Sequence, residues 1–199
     1  MPFQDEIGPV VLSEYREQWA EDYEVLAATL RQLDLDPRGA IEHVGSTSIP
    51  GMVAKDVIDA QVRVPELNVE AITARFTDAG FRCRPEEWNT HELTRRGVIP
   101  KLVFAPPSGG RRVNVHVRTD GTHGARDTLL FRDYLRSEAE PRIGWAEFKR
   151  SILENAGSID LASYGQAKQS KWGELMFQGD AWAENRNWQP SPLVEWSSI

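Results

Sequence analysis

Apolar residues recur every three or four positions between Glu14 and Leu33, with Trp19, Tyr23, Leu26, Leu30 and Leu33 on one stripe, and this spacing predicts an amphipathic helix. The stretch from Asp34 to Gly39, with Pro37 inside it, stops that helix. Two β-branched runs follow, Ile41 to Val44 and Val57 to Val64, and between them lies a loop rich in Gly, Ser, Thr and Pro. They read as strand, tight polar loop, strand. In the second run the side-chain period of two places Asp59 and Gln61 on one face and Ile58, Ala60 and Val62 on the other. A second helix is expected from about Leu67 to Ala79, carrying Val69, Ile72 and Phe76 inward and closed by Gly80. A strand around Phe81 to Arg84 comes next. Pro85 to Pro100, containing Trp88, His91 and the paired Arg95 and Arg96, has no clear period and is read as a long irregular loop able to cover a site.

Lys101 to Ala105 and Arg112 to Thr119 read as a hairpin around Pro106 to Gly110. In its second arm Val113, Val115 and Val117 share one face and Asn114 and His116 the other, repeating the division at Asp59 and Gln61. Two strands divided in this way imply an α/β (α+β) protein, with helices on the apolar side of a sheet and a solvent-accessible cleft on the polar side. The last third reads as helical over Asp127 to Ser137, Arg142 to Leu153 and Ser163 to about Asn185. A tail from about residue 186 carries Trp188 and Trp196 among Pro and Ser, and is expected to lie against the domain surface or a partner. Residues 1–199 are read as one domain without internal repeats.

Composition narrows the classes. The apolar fraction is 40% and the charged fraction 27%, near globular averages, and no run approaches the roughly 18 apolar residues of a membrane span. Cys83 is the single cysteine and reads as a small buried apolar residue, and the N-terminus lacks a basic region followed by an apolar run, so a cytoplasmic, membrane-free protein is expected. The net charge of −7 argues against nucleic acid as a partner. Arginine is nonetheless clustered locally at Arg82, Arg84, Arg95, Arg96, Arg111, Arg112 and Arg118, with Arg126, Arg132 and Arg136 following. That pattern fits either one basic pocket or a solvated surface.

The loop after the first strand carries the clearest chemistry. Gly45 permits close backbone approach, and Ser46, Thr47 and Ser48 offer hydroxyls and N–H groups that suit an anion, phosphate above all. Asp59 either caps this loop or has a functional role, and His116 is either a structural or a functional histidine. His43 suits bracing the loop better than acid–base work. Lys55 either meets a phosphate or pairs with Asp56 or Glu42.

The order hydrophobe-Gly-Ser, spacer, Asp-hydrophobe-X-hydrophobe resembles the signature of polymerase-β-like nucleotidyltransferases, in which X is usually a second carboxylate. In this chain X is Gln61, and because Mg²⁺ prefers anionic oxygen ligands, Asp59 with Gln61 is a weaker metal pair. A longer series covers nearly the whole chain: IEHVGSTSIPGMVAKDVIDAQV, VNVHV, LLFRDYLR, Lys149, and Tyr164 with Lys168 in SYGQAK. It resembles the GrpB family, a branch of the nucleotidyltransferase-like fold. AKDVIDAQV, VNVHVR and AWAENRNWQP are similar to the GrpB-type domain of actinobacterial dephospho-CoA kinases. The chain has no G-x-x-x-x-G-K-[ST] phosphate loop, so kinase activity is not carried over.

The resemblance implies a nucleotide-binding cleft. In it Gly45, Ser46, Thr47, Ser48, Lys55, Arg132, Lys149 and Lys168 would meet the phosphates, and Asp59 and Gln61 would hold Mg²⁺. Asp59 and His116 would serve catalysis, while His43 and Asn114 would shape the cleft. Arg132 has a plainer alternative as an ion-pair partner of Asp133. Many relatives carry His at both positions of the later strand motif, where this chain has Asn114 and His116. Two functions are then in view. One is a Mg²⁺-dependent nucleotidyltransferase that moves a nucleoside monophosphate from a triphosphate such as ATP to a small-molecule acceptor entering under the Pro85 to Pro100 loop. The other is a non-catalytic nucleotide- or protein-binding module that assists a partner such as dephospho-CoA kinase.

Overall fold

In the computed structural model, which describes residues 3, 8–35, 38–94 and 97–196, the first helix α1 (Gln18–Arg31) leads into strand β1 (Arg38–Val44). A 3-10 turn (Ser46–Ser48) and a loop connect β1 to β2 (Ile58–Val64). Helix α2 (Val69–Asp78) begins at Asn68, whose side chain accepts from the Ala71 N–H at 3.0 Å and so satisfies one of the helix's open donors. Then come β3 (Arg82–Cys83), the one-turn helix α3 (Glu87–Thr90), β4 (His91–Thr94), β5 (Gly97–Pro100), β6 (Leu102–Ala105) and β7 (Val113–Thr119). The last third holds α4 (His123–Ser137), α5 (Ala139–Ala156), α6 (Leu161–Ala167) and α7 (Gln169–Arg186), followed by β8 (Val194–Glu195).

Among the described residues the main sheet has the order β3-β6-β7-β2-β1-β8. It is mixed: β2 and β7 run parallel, while β1–β2, β6–β7, β3–β6 and β1–β8 are antiparallel. The register sets Asp59 beside Asn114 and Gln61 beside His116, so the polar positions of both strands form rows on one face. The opposite face is the main core. There α1 contributes Trp19, Leu26, Leu30 and Leu33, and α2 contributes Ile72 and Phe76, against Ile58, Ala60 and Val62 of β2 and the valines of β7. A second core joins the loop residues Ile49, Met52 and Val53 to Leu130, Phe131 and Tyr134 of α4, Trp145 of α5 and Leu175 and Met176 of α7. The helical third therefore packs around the loop and the polar end of the molecule. Among the described residues no helix is long and apolar enough to cross a membrane.

The structure departs from the sequence expectations in three places, while the tail lies on the domain surface as expected. Residues 85–100 are not irregular: they form α3 and the separate β4–β5 hairpin, with Leu93 paired to Val98. Their pattern is inverted, since Leu93 is exposed while Glu92 turns inward to Arg118, so a hydrophobic period could not reveal them. Arg95 and Arg96 lie outside the described residues, as do Asp36 and Pro37. Helix α4 begins four residues early because Thr122 caps it, and the helix expected from Ser163 is two helices divided at Lys168. In the tail, β8 adds to the β1 edge, and Trp196 lies so close to Gly39 that a side chain there would overlap the indole.

Phe76 stacks on Phe104 with ring centroids 3.9 Å apart and meets Phe81 edge to face. Phe76→Ala is expected to lower unfolding free energy by about 3–5 kcal/mol, read from the midpoint of urea denaturation.

Candidate functional site

At the end of β1 the chain turns on Gly45, whose φ of 68° and ψ of −173° favour glycine. Asp59 of the adjacent strand is packed so closely that a Cβ at this position would overlap its carboxylate. The Ser48 hydroxyl donates to the Gly45 carbonyl at 2.6 Å and closes the turn. On the α1 side, the His43 ring stacks on Tyr23 and its Nε2 lies 3.0 Å from the Thr47 hydroxyl. Burial, and after it Arg136 and Arg132, push His43 down to about 4, so its ring is neutral at pH 7. Arg136 donates twice to the Ser48 carbonyl, and Arg132 donates to the His43 carbonyl at 3.1 Å and to Asp133 at 2.6 Å. These bonds engage the Thr47 and Ser48 hydroxyls and two nitrogens of Arg132 within the protein and brace the loop, and among the described residues Ser46 is the one of the three hydroxyls that a lysine bonds.

On the polar face, Asn114 Nδ2 donates to Asp59 Oδ1 at 2.9 Å, and Arg84 donates to Asn114 Oδ1 at 3.0 Å. His116 Nε2 stands 4.0 Å from Asp59 Oδ1, beyond a hydrogen bond, and its buried Nδ1 has no partner among the described residues. Burial, then Arg118, Lys101 and Arg84, drive His116 well below the usual histidine value, so it carries no proton at neutral pH. Gln61 is fully buried and its amide is committed: Nε2 donates to the Ala125 carbonyl at 3.1 Å, and Oε1 accepts from Arg118 at 3.0 Å. Arg118 in turn grips Glu92 through two bonds of 2.9 and 2.8 Å. The oxygen that Gln61 would offer a metal thus faces a guanidinium in this structure. Among the described residues no group of three His, Cys, Asp or Glu side chains is placed to hold an ion. These residues do not fit a pair of Mg²⁺ ions, which calls for several anionic oxygens.

What surrounds Asp59 instead is positive charge. Lys149 of α5 is almost fully buried, and its ammonium donates to the Ser46 hydroxyl at 3.0 Å and to the Val53 carbonyl. Burial, then the neighbouring Lys168, Arg150 and Lys55, lower it to about 7. Lys168 lies 4.8 Å from the centre of the Tyr164 ring and is lowered to about 8 by burial and then Lys55, with Asp59 opposing. Lys55 lies 6.0 Å from the same ring. Burial is again the first cause of its lowered value; Asp59 opposes the shift, and Arg112 and Arg84 reinforce it. The carboxylates that could have paired with Lys55 are engaged elsewhere, Glu42 with Arg63 and Asp56 with Trp19, Arg16 and Arg111. Lys55 also lines a cavity of about 210 Å³ with Arg84, Arg112 and Asn114. Lys55, Lys149 and Lys168 thus act on one another with Asp59 as the opposing carboxylate, and the cavity beside Lys55 adds Arg16, Arg84 and Arg112 against Asp56, a surplus of positive charge that suits an anion such as a phosphate chain.

Sequence reasoning identified Asp59, Ser46, Lys55, Lys149 and Lys168, which the structure brings together, but did not single out Arg84 and Arg112. Local arginine clustering was the available signal, and it could not sort its members. Arg111 ties Asp22 at 2.7 Å, Arg126 ties Asp180 at 2.9 Å, and Arg118 is buried under the hairpin.

Comparison with known proteins joins these elements into one pattern. A crystal structure of GrpB from Enterococcus faecalis superposes with a TM-score of 0.69 at 24% identity, covering 85% of this chain and 96% of that one, and so shares the fold. Looser likenesses include the Cid1 poly(U) polymerase, at a TM-score of 0.46 and 16% identity, and decide nothing about activity. The UPF0157 protein SCO7215 of Streptomyces coelicolor is 36% identical over 166 residues, 82% of this chain and 78% of the relative. A dephospho-CoA kinase of Mycolicibacterium paratuberculosis is 30% identical over 167 residues, but the match spans only 41% of the kinase. The model of the family described as GrpB protein matches residues 9–176, a span that takes in the Gly45 turn, Asp59, the β7 row and Lys149, and the chain belongs to that family.

Proposed function

We propose that this protein binds a nucleotide by its phosphate chain, and that Lys55, Lys149, Lys168 and Arg84, rather than a pair of metal ions, neutralise the phosphates. The observation that carries this reading is the surplus of cations around Asp59 together with the engagement of Gln61 by Arg118 and Ala125, which leaves Asp59 without a second metal-ligating oxygen on its strand. Ser46 and the Gly45 turn stand where a terminal phosphate would meet Lys149. Asp59 would be the protein ligand of any single Mg²⁺ that arrives with the nucleotide. Transfer of a nucleoside monophosphate to a small acceptor, the activity suggested by the wider resemblance, would lack the second carboxylate that two-ion phosphoryl transfer uses. The geometry therefore favours a nucleotide-binding module over a transferase.

Titration calorimetry with ATP tests the reading. Binding is expected to persist in EDTA and to weaken by about tenfold or more in Lys55→Ala and in Lys168→Ala, because each removes a charge-assisted contact of about 1.5–3 kcal/mol. Asp59→Asn is expected to bind ATP at least as tightly as wild type, since it removes a negative charge from the site. A strict Mg²⁺ requirement lost in Asp59→Asn, or release of pyrophosphate in an acceptor screen, would overturn the proposal.

Burial of the Lys149 ammonium, and after it the like charges of Lys168, Arg150 and Lys55, carries a stability penalty that is measurable. Its folded-state value of about 7 lies below the 10.5 of an ordinary lysine, so between these limits the unfolded chain holds more protons and stability rises with pH. Lys149→Met is expected to be more stable than wild type at pH 7, with the difference shrinking towards pH 10, in thermal melts across that range. The same variant is expected to lose affinity for ATP.

A further inference from the structure

The cavity beside Lys55 is lined by two chemically different sets of side chains. Lys55, Arg84, Arg112 and Arg16, with Asp56 among them, are charged. Pro9, Val10 and Val11 of the segment preceding α1, together with Leu161 at the start of α6, form an apolar wall. Val11 is 65% exposed and Leu161 42%, so two large apolar side chains stand in solvent beside a charged cavity, an arrangement that favours an apolar ligand surface against them. The wall is anchored at its base, where Ser13 and Ala54 exchange backbone bonds of 2.8 and 3.0 Å, and further out by the Val10 N–H to the Ile159 carbonyl at 3.3 Å. A second cleft of about 350 Å³ lies against Pro9, Val10 and Val11 as well.

Arg16, Ser13 and Asp56, which also line the cavity, are already engaged. Arg16 donates to Asp56 at 3.4 Å and to the Ser13 hydroxyl at 3.2 Å, and Asp56 also accepts from Trp19 at 2.8 Å and from Arg111. Reading the hydrogen-bonding edge of a base requires such groups to be open, whereas packing against the face of a base requires only apolar surface, because every base has one.

We infer that Pro9, Val10, Val11 and Leu161 receive the non-phosphate end of the nucleotide by apolar contact, and that the site does not select among bases. This rests on the phosphate-binding reading above, which fixes the opposite end of the ligand. The cationic side chains hold the phosphate chain, and the apolar wall adds affinity through the nucleoside.

Calorimetry with four nucleoside triphosphates and inorganic tripolyphosphate separates the two ends. ATP, GTP, CTP and UTP are expected to bind wild type within about threefold of one another. The double variant Val10→Ser, Leu161→Ser is expected to lose about fivefold or more in ATP affinity while binding tripolyphosphate within about twofold of wild type, which also shows that it is folded. If tripolyphosphate binds as expected but one base is preferred by more than about tenfold, or the double variant keeps its ATP affinity, the inference about the wall fails and the phosphate site stands. If wild type binds neither tripolyphosphate nor any nucleotide, the phosphate site fails and this inference falls with it.

Discussion

A sheet face that carries Glu42, Gln61, Arg63 and Arg118 can be covered by protein only if each of these groups finds a partner, since a buried charge or amide left alone is strongly destabilising. The structure meets this constraint with side chains from distant parts of the chain. Arg63 bonds Glu42, Asp120 and the carbonyl of Ser191, while Arg118 bonds Gln61 and Glu92. Only because this stretch is satisfied can α4 lie across it, with its Ala125 carbonyl taking the remaining Gln61 donor. The same bonds fix the β4–β5 hairpin through Glu92 and the C-terminal segment through Ser191.

The candidate site lies on the part of the polar face where this closure stops. Asp59, Asn114 and Arg84 form a short chain of bonds, but the lysines around them are not matched by carboxylates. Behind the site, His43, Arg132 and Arg136 hold the Gly45 turn from the other side. A preorganised backbone can face an anion at little entropic cost, and crowded like charges favour one.

Much of this was legible in the order of residues. The stripe of α1, the valine and polar faces of β2 and β7, and the hairpin of β6 with β7 all follow from local periodicity, because burial on one side of an element imposes a repeat of two or of three to four residues. The Gly45 turn and Asp59 were legible for a related reason: few residue types tolerate that backbone conformation and that close approach. Residues 85–100 escaped because Glu92 turns inward to a guanidinium while Leu93 and Val98 face solvent, which reverses the pattern that burial of apolar side chains normally writes.

What the sequence by itself determined is the set of elements, the face each presents and the presence of a Gly-Ser turn beside a carboxylate strand. Only the tertiary structure decided which charges belong to the site. Gln61 bridges to Arg118, 57 positions away, through its oxygen. Arg132 reaches the His43 carbonyl, 89 positions away. Lys149 met Ser46 across 103 positions of chain. Periodicity reports how one element meets solvent and core, whereas the partner of a charged side chain is set by which elements pack together, and local sequence spacing does not encode that choice.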